Sequence, residues 1–117
     1  MNKIRRGQIW LVNLDPTIGH EIKKIRPCII VQNDLGNIYS SLTIIASITS
    51  KNVNEIYPVE VLLNKKEKGI EVTSKVLLNQ IRAIDKIRLV RLIGGVDLNK
   101  MREMDEALKI SLGLIDL

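Results

Sequence analysis

Between Asp15 and Pro27 the chain reads Asp-Pro-Thr-Ile-Gly-His-Glu-Ile-Lys-Lys-Ile-Arg-Pro, and no other stretch gathers so many groups able to do chemistry. His20 can titrate near neutrality, and Glu21 can accept a proton. Lys23 and Lys24 add two point charges. Arg26, pinned against Pro27, stays protonated and offers a planar fork that matches two phosphate oxygens. An ion pair fixing the loop to its scaffold would use Arg26 equally well, and His20 and Glu21 on a loop could simply be solvated. Loops carried by rigid elements are nonetheless where sites usually sit.

Other chemistries find little footing. The chain has one His and one Cys, and no pair of ligands at the spacing of a His-Glu-x-x-His helix, so no metal site is expected. It lacks a Gly-rich phosphate cradle, which argues against a nucleotide cofactor; no cofactor of any kind is expected. A Gly-x-Ser-x-Gly elbow is missing too. Metal-free chemistry on a phosphate remains. RNA brings its own nucleophile, the 2′-OH, so cutting it needs only in-line positioning, a proton acceptor and a cation or acid at the phosphate. The loop from Gly19 to Arg26 holds residues of those types.

The elements around this loop read as strands. Gln8–Leu14 is a β-branched and aromatic run ended by Asp15-Pro16, and Cys28–Gln32 is a short apolar run suited to a strand covered on both faces. Asn33-Asp34 and Gly36-Asn37 read as loop. Leu42–Thr49 alternates, with Leu42, Ile44, Ala46 and Ile48 on one face and Thr43, Ile45, Ser47 and Thr49 on the other, which is half polar. Lys51–Tyr57 reads as a mobile connection. Pro58–Leu63 is a further strand with Val59, Val61 and Leu63 inward and Glu60 outward. In Val76–Ile84 simple alternation puts Val76, Leu78, Gln80, Arg82 and Ile84 on one face. Asp85 can cap a short helix, Arg91–Val96 is a short strand or turn, and Asp97 caps a helix from Leu98 to about Ile115. On that helix Leu98, Met101, Met104, Leu108, Leu112 and Ile115 form one stripe. Ala107, Ile110 and Leu114 widen the apolar arc enough to suggest a second subunit. About six short strands and a late helix imply a mainly β protein: a small, antiparallel barrel with helices at its end or side.

Composition agrees. The 117 residues, 1–117, fit a single domain, and with aromatics at 3 % and no Phe the core must be built from Ile, Leu and Val, which favours strands. Cys28 has no partner for an intramolecular disulfide and sits in an apolar run, so a reducing cytoplasm is the simple expectation. No export signal or membrane span is visible. A formal net charge of +5 makes nucleic acid or an acidic protein the default partner class.

At this point the residues resemble a known family, the MazF/PemK-type toxins of bacterial toxin–antitoxin pairs. The resemblance runs nearly end to end. It is carried by Arg6-Gly7-Gln8-Ile9-Trp10, Asn13-Leu14-Asp15-Pro16, Gly19-His20-Glu21, Arg26-Pro27 and Val31-Gln32-Asn33-Asp34. Further on come Ala46-Ser47-Ile48-Thr49, Leu78-Asn79-Gln80-Ile81-Arg82 with Ile84-Asp85, and Ala107-Leu108-Lys109-Ile110-Ser111-Leu112. The resemblance implies a homodimer with an SH3-like barrel. It also implies a sequence-specific, metal-independent endoribonuclease on single-stranded mRNA, leaving a 2′,3′-cyclic phosphate (or 3′-phosphate) and a 5′-OH, and restrained by a cognate MazE-like antitoxin. By position it implies Arg26 as the residue acting on the scissile phosphate and leaving oxygen, Thr49 as the hydroxyl that holds that phosphate, and Glu21 as a proton acceptor. His20, Lys23, Lys24, Asn33, Gln80 and Arg82 fall along the implied RNA path. One common version of the loop, Gly-Ser-Glu-Gln followed by Gly-x-Arg-Pro, differs here by His20, Ile22 and Lys23-Lys24, which leaves open whether Glu21 or His20 takes the proton.

Two other readings use the same scaffold. A CcdB-like gyrase poison of the same fold would act through the end of its last helix, often with a Trp there, whereas this chain ends Gly113-Leu114-Ile115-Asp116-Leu117 without an aromatic. An RNA-binding module without turnover would need a platform of aromatics, and Trp10, Tyr39 and Tyr57 are few and scattered.

Overall fold

The computed structural model describes residues 3–14 and 24–116. Among these residues six strands appear in chain order: β1 (Gln8–Asn13), β2 (Ile25–Ile30), β3 (Leu42–Thr49), β4 (Glu60–Leu63), β5 (Ser74–Asp85) and β6 (Leu89–Gly95). A short helix α1 (Asp34–Tyr39) separates β2 from β3, a 3₁₀ turn at Lys86–Arg88 joins β5 to β6, and helix α2 (Leu98–Ser111) follows the last strand. Every pairing is antiparallel, in the order β4-β5-β3-β2-β1-β6. This is the expected mainly β architecture with a C-terminal helix, but the sheet does not close. The β4–β5 connection instead closes onto the edge strand β6: a Cβ on Gly94 would collide with the Lys68 carbonyl, and one on Gly69 with the backbone of Ile93. Only glycine permits that approach, and Gly69 also takes a φ of +91°.

Alternation along the strands gives the sheet an apolar core on each face. On one side Ile9, Ile29, Ala46, Val76 and Leu78 pack under α2, which contributes Met101, Met104 and Ala107. On the other, Trp10, Val12, Cys28, Ile30, Ile45 and Ile84 form a second cluster, with Leu14, Leu89 and Leu92 partly buried against it. Each fully buried Ile or Leu contributes about 1.5–3 kcal/mol, so a core without Phe is held by number rather than by size. Among the described residues no helix is long and apolar enough to cross a membrane.

Several expectations change on contact with the fold. Asn33-Asp34 and Gly36-Asn37, expected as loop, instead cap and build helix α1: Asn33 accepts from the Gly36 amide at 2.8 Å. The buried Asn37 side chain then ties it to β3 by accepting from the Thr43 hydroxyl at 2.7 Å. Simple alternation also fails in β5. Ala46 pairs with Ile81 but Ser47 pairs with Leu77, so β5 spends three extra residues there, and Val76 and Leu78 face the α2 side while Ile84 faces the other. Glu60 does not point freely outward, because it is ion-paired to the buried Lys75 at 2.8 Å. Helix α2 stops at Ser111, not Ile115. Gly113 adopts φ +71°, and the Leu114 and Gly113 amides bond back to Lys109 and Ile110, a glycine stop that leaves Leu112 and Leu114 exposed. Leu98, at the other end of the stripe, is exposed as well.

Candidate active site

Arg26 lies near the start of β2. A residue before proline is held in the extended region, so Pro27 fixes the backbone direction at Arg26. The β2–β3 ladder runs from Ile30 opposite Ile45 to Cys28 opposite Ser47 and stops there; Pro27 has no N–H with which to extend it. Counting two residues further along the same register brings Arg26 opposite Thr49, the last residue of β3. Both side chains share the face of Cys28 and Ser47. Where the ladder stops, a cleft of about 460 Å³ opens, and Arg26 and Thr49 both line it.

Among the described residues the other polar groups of the cleft are Ser50, Lys51 and Ser74, and its apolar walls are Pro27, Ile48 and Val72. Thr49 is half-buried, and its Oγ1 accepts from the Lys51 amide at 3.1 Å, which leaves the hydroxyl proton to be donated elsewhere. The cleft therefore sets two cations, Arg26 and Lys51, beside the hydroxyls of Thr49 and Ser50, while the Ser74 hydroxyl donates to the Val72 carbonyl at 2.9 Å. That arrangement suits an anionic oxygen on which charge accumulates. A larger groove of about 760 Å³ adjoins it through Pro27, Val72 and Ser74, but among the described residues its charged groups are one Arg91 and one Glu71, so the smaller cleft is the better candidate.

Arg26 and Thr49 are thus brought together. Lys24 is exposed at the neck of the β1–β2 connection, where its carbonyl accepts from the Leu14 amide at 2.8 Å. Asn33, Gln80 and Arg82 are exposed and do not line the cleft. Asn33 spends its side-chain oxygen on capping α1. Gln80 sits in the irregular part of β5, and Arg82, opposite Ile45, is on the same sheet face as Cys28. His20, Glu21 and Lys23 lie outside the described residues. Cys28 is wholly buried, and that burial pushes its thiol up to about 12 against the partial opposition of the Arg82 charge, so it is an inert core thiol.

Sequence reasoning passed over Ser50, Lys51 and Ser74. The tripeptide Thr49-Ser50-Lys51 at a strand exit, two hydroxyls and a cation, was the available signal for the first two; Ser74 carries none beyond its position before a lysine.

With this geometry in hand, likeness to known proteins can be weighed. Residues 5–112 match the model of the PemK-like, MazF-like toxin of type II toxin-antitoxin systems. The chain is 42 % identical over 113 residues to the endoribonuclease EndoA of Bacillus subtilis (strain 168), covering 97 % of both. Among solved structures it superposes on an endoribonuclease in complex with its cognate antitoxin from a mycobacterial species with TM-score 0.80 at 22 % identity, covering 97 % of this chain and 99 % of that one. On a MazE–MazF structure from Deinococcus radiodurans the TM-score is 0.79 at 23 % identity, with 98 % and 100 % covered. At such identities the two structures speak for the fold, while the family match and the Bacillus relative span almost the whole sequence. This chain belongs to the PemK-like, MazF-like family of type II toxins.

Proposed function

We propose that this chain, as one domain over residues 1–117, is the toxin of a toxin–antitoxin pair and an endoribonuclease that cuts single-stranded mRNA by attack of the 2′-OH. The observation that supports this best is the pairing of Arg26 with Thr49 on the walls of one cleft, in a chain 42 % identical to a protein named as an endoribonuclease. In the step itself, O2′ forms a bond to phosphorus and the bond from phosphorus to O5′ breaks. The proton of O2′ passes to a base, Glu21 or His20, and O5′ leaves as a hydroxyl by taking a proton from solvent water. The products are a 2′,3′-cyclic phosphate and a 5′-OH end. Arg26 holds the non-bridging oxygens as their charge grows, and the Thr49 hydroxyl donates to the same phosphate. His20, Lys23, Lys24, Asn33, Gln80 and Arg82 guide the strand toward and away from the cleft.

Its partners in this reading are a second copy of the chain and an antitoxin whose acidic tail pairs with the basic groove. Leu35, Ile38, Tyr39 and Leu42, apolar and exposed on α1 and the start of β3, offer the second copy a face. The site of action is the cytoplasm. The test uses purified protein in EDTA with an RNA whose cut site has been mapped by sequencing its 5′-OH ends, and a copy carrying one deoxynucleotide at that site. Cleavage of the RNA alone supports 2′-OH attack; cleavage of the deoxy copy overturns it.

A further inference from the structure

Behind the cleft wall lies a lysine in an unusual place. Lys75 on β5 is 4 % exposed, and its ammonium donates to the Asn52 carbonyl at 3.0 Å, the Glu55 carbonyl at 3.0 Å and Glu60 Oε1 at 2.8 Å. An ammonium has three donors, and all three are used. Two of the acceptors belong to the β3–β4 connection and the third opens β4. The Tyr57 ring lies 5.7 Å from the same nitrogen. Glu60 Oε1 also accepts from the Tyr57 amide at 3.0 Å, and the Tyr57 hydroxyl donates to Glu55 Oε2 at 2.7 Å. The segment once read as mobile is therefore wrapped around one buried charge.

Burying an ion pair is a poor route to stability, because the desolvation cost offsets most of the attraction and a well-packed hydrophobe often serves as well. What an ammonium does that a hydrophobe cannot is fix several carbonyls at once. The most telling of these is Asn52, which holds φ +54°, in the left-handed region that Asn enters more readily than other side-chain-bearing residues. Asn52 follows Thr49, Ser50 and Lys51, the residues that form one wall of the cleft, and Lys75 is the direct cross-strand partner of Thr49.

We infer that Lys75 is a positioning residue: its buried ammonium clamps the 51–58 segment so that Thr49 and Lys51 face Arg26 across the cleft. It touches no substrate and acts through the wall it braces. The inference rests on the RNA-cleaving reading above, so its test separates the two. Lys75→Met keeps length and burial but removes the three donors; Glu60→Gln keeps Lys75 and weakens one acceptor.

With the mapped RNA as substrate, Lys75→Met is expected to lower kcat by about tenfold to a hundredfold with KM changed less than about threefold, the signature of a misplaced group in the transition state. Amide exchange at residues 51–57 is expected to accelerate by at least about tenfold while the β1–β3 core keeps its protection. Glu60→Gln should move both readouts in the same direction by less, and decides the matter should Lys75→Met not fold. A wild type that leaves RNA intact sinks the RNA reading. Wild-type cleavage with an unchanged kcat in the folded variants, or unchanged exchange over 51–57, overturns the clamp and leaves the RNA reading standing.

Discussion

Arg26 and Thr49 stand across from each other at the point where two paired strands part: two residues beyond the Cys28–Ser47 pair, on one face of the sheet and on the walls of one cleft. The separation arises because a proline withholds the next ladder hydrogen bond, so the feature that fixes Arg26 also opens the space in front of it.

Replacing Arg26 by Ala should lower kcat on the mapped RNA by about 10²–10³-fold, the usual cost of removing one preorganised donor to a developing oxyanion. Because Arg26 is exposed at a strand end, the melting temperature should stay within a degree or two. Arg26→Lys should fall between, since a point charge replaces a two-pronged donor. Wild-type turnover by the alanine variant would remove Arg26 from the chemistry.

Thr49→Val keeps the shape of the side chain and deletes its hydroxyl. We expect a drop in kcat of about tenfold or more, with a stability cost of about 0.5–1.5 kcal/mol from losing the Lys51 amide's acceptor. Thr49→Ser retains both functions and should cut RNA at close to the parent rate. Single-turnover cleavage and urea unfolding of the three proteins give the comparison.

Alkaline stability should report on Cys28. Burial holds its thiol up to about 12 in the folded chain, while in the unfolded chain it ionises near its ordinary value of 9.0. The folded state therefore keeps a proton that the unfolded state gives up. The stabilisation is complete below the unfolded value and drains away as pH rises from there toward the folded one. Urea midpoints between pH 7 and 10.5 should fall for the parent and fall less for Cys28→Ala, and Ellman's reagent should label the native protein only as fast as it opens.

Acid stability should report on Asp34 and Glu60. The Arg6 amide, donating at 2.7 Å, is the main cause that holds the Asp34 carboxyl below its ordinary range, with a smaller contribution from Asn37. For Glu60, burial pushes upward, but hydrogen bonds from Lys75 and the Tyr57 amide, with the Lys75 charge, outweigh it and the carboxyl is lowered. Both groups favour the folded state above the ordinary carboxylate range and lose that effect as pH falls through their lowered folded values. Unfolding midpoints taken from pH 7 down to pH 3 should decline less steeply in Asp34→Asn than in the parent.

Much of this molecule was legible from residue order because most of its strands obey period two. Leu42–Thr49 needed no revision, and Gln8–Leu14 lost only its last residue. Helix α1 was hidden because Gly36 and Asn37 are weak helix formers; it is held by a tertiary link, the Asn37–Thr43 hydrogen bond, which no local pattern announces. The helix end was misjudged because the apolar stripe continues past Gly113, and a backbone stop signal outweighed it. At the site, Arg26 and Thr49 carried signals of type and place. Lys75 carried none: a lysine beside a serine looks like a surface bend until its three acceptors are known.

The three-residue irregularity in β5 has a consequence for where charge can reside. Were β5 to run without it, strict alternation from Val76 and Leu78 would aim Arg82 at the layer beneath α2, and a guanidinium would be stranded in a dry interior of Ile, Met and Ala side chains. The extra residues rotate the strand midway, handing Ile81 to that interior and turning Arg82 toward the same side of the molecule as Arg26. A local defect in pairing thus sorts grease from charge along a single strand.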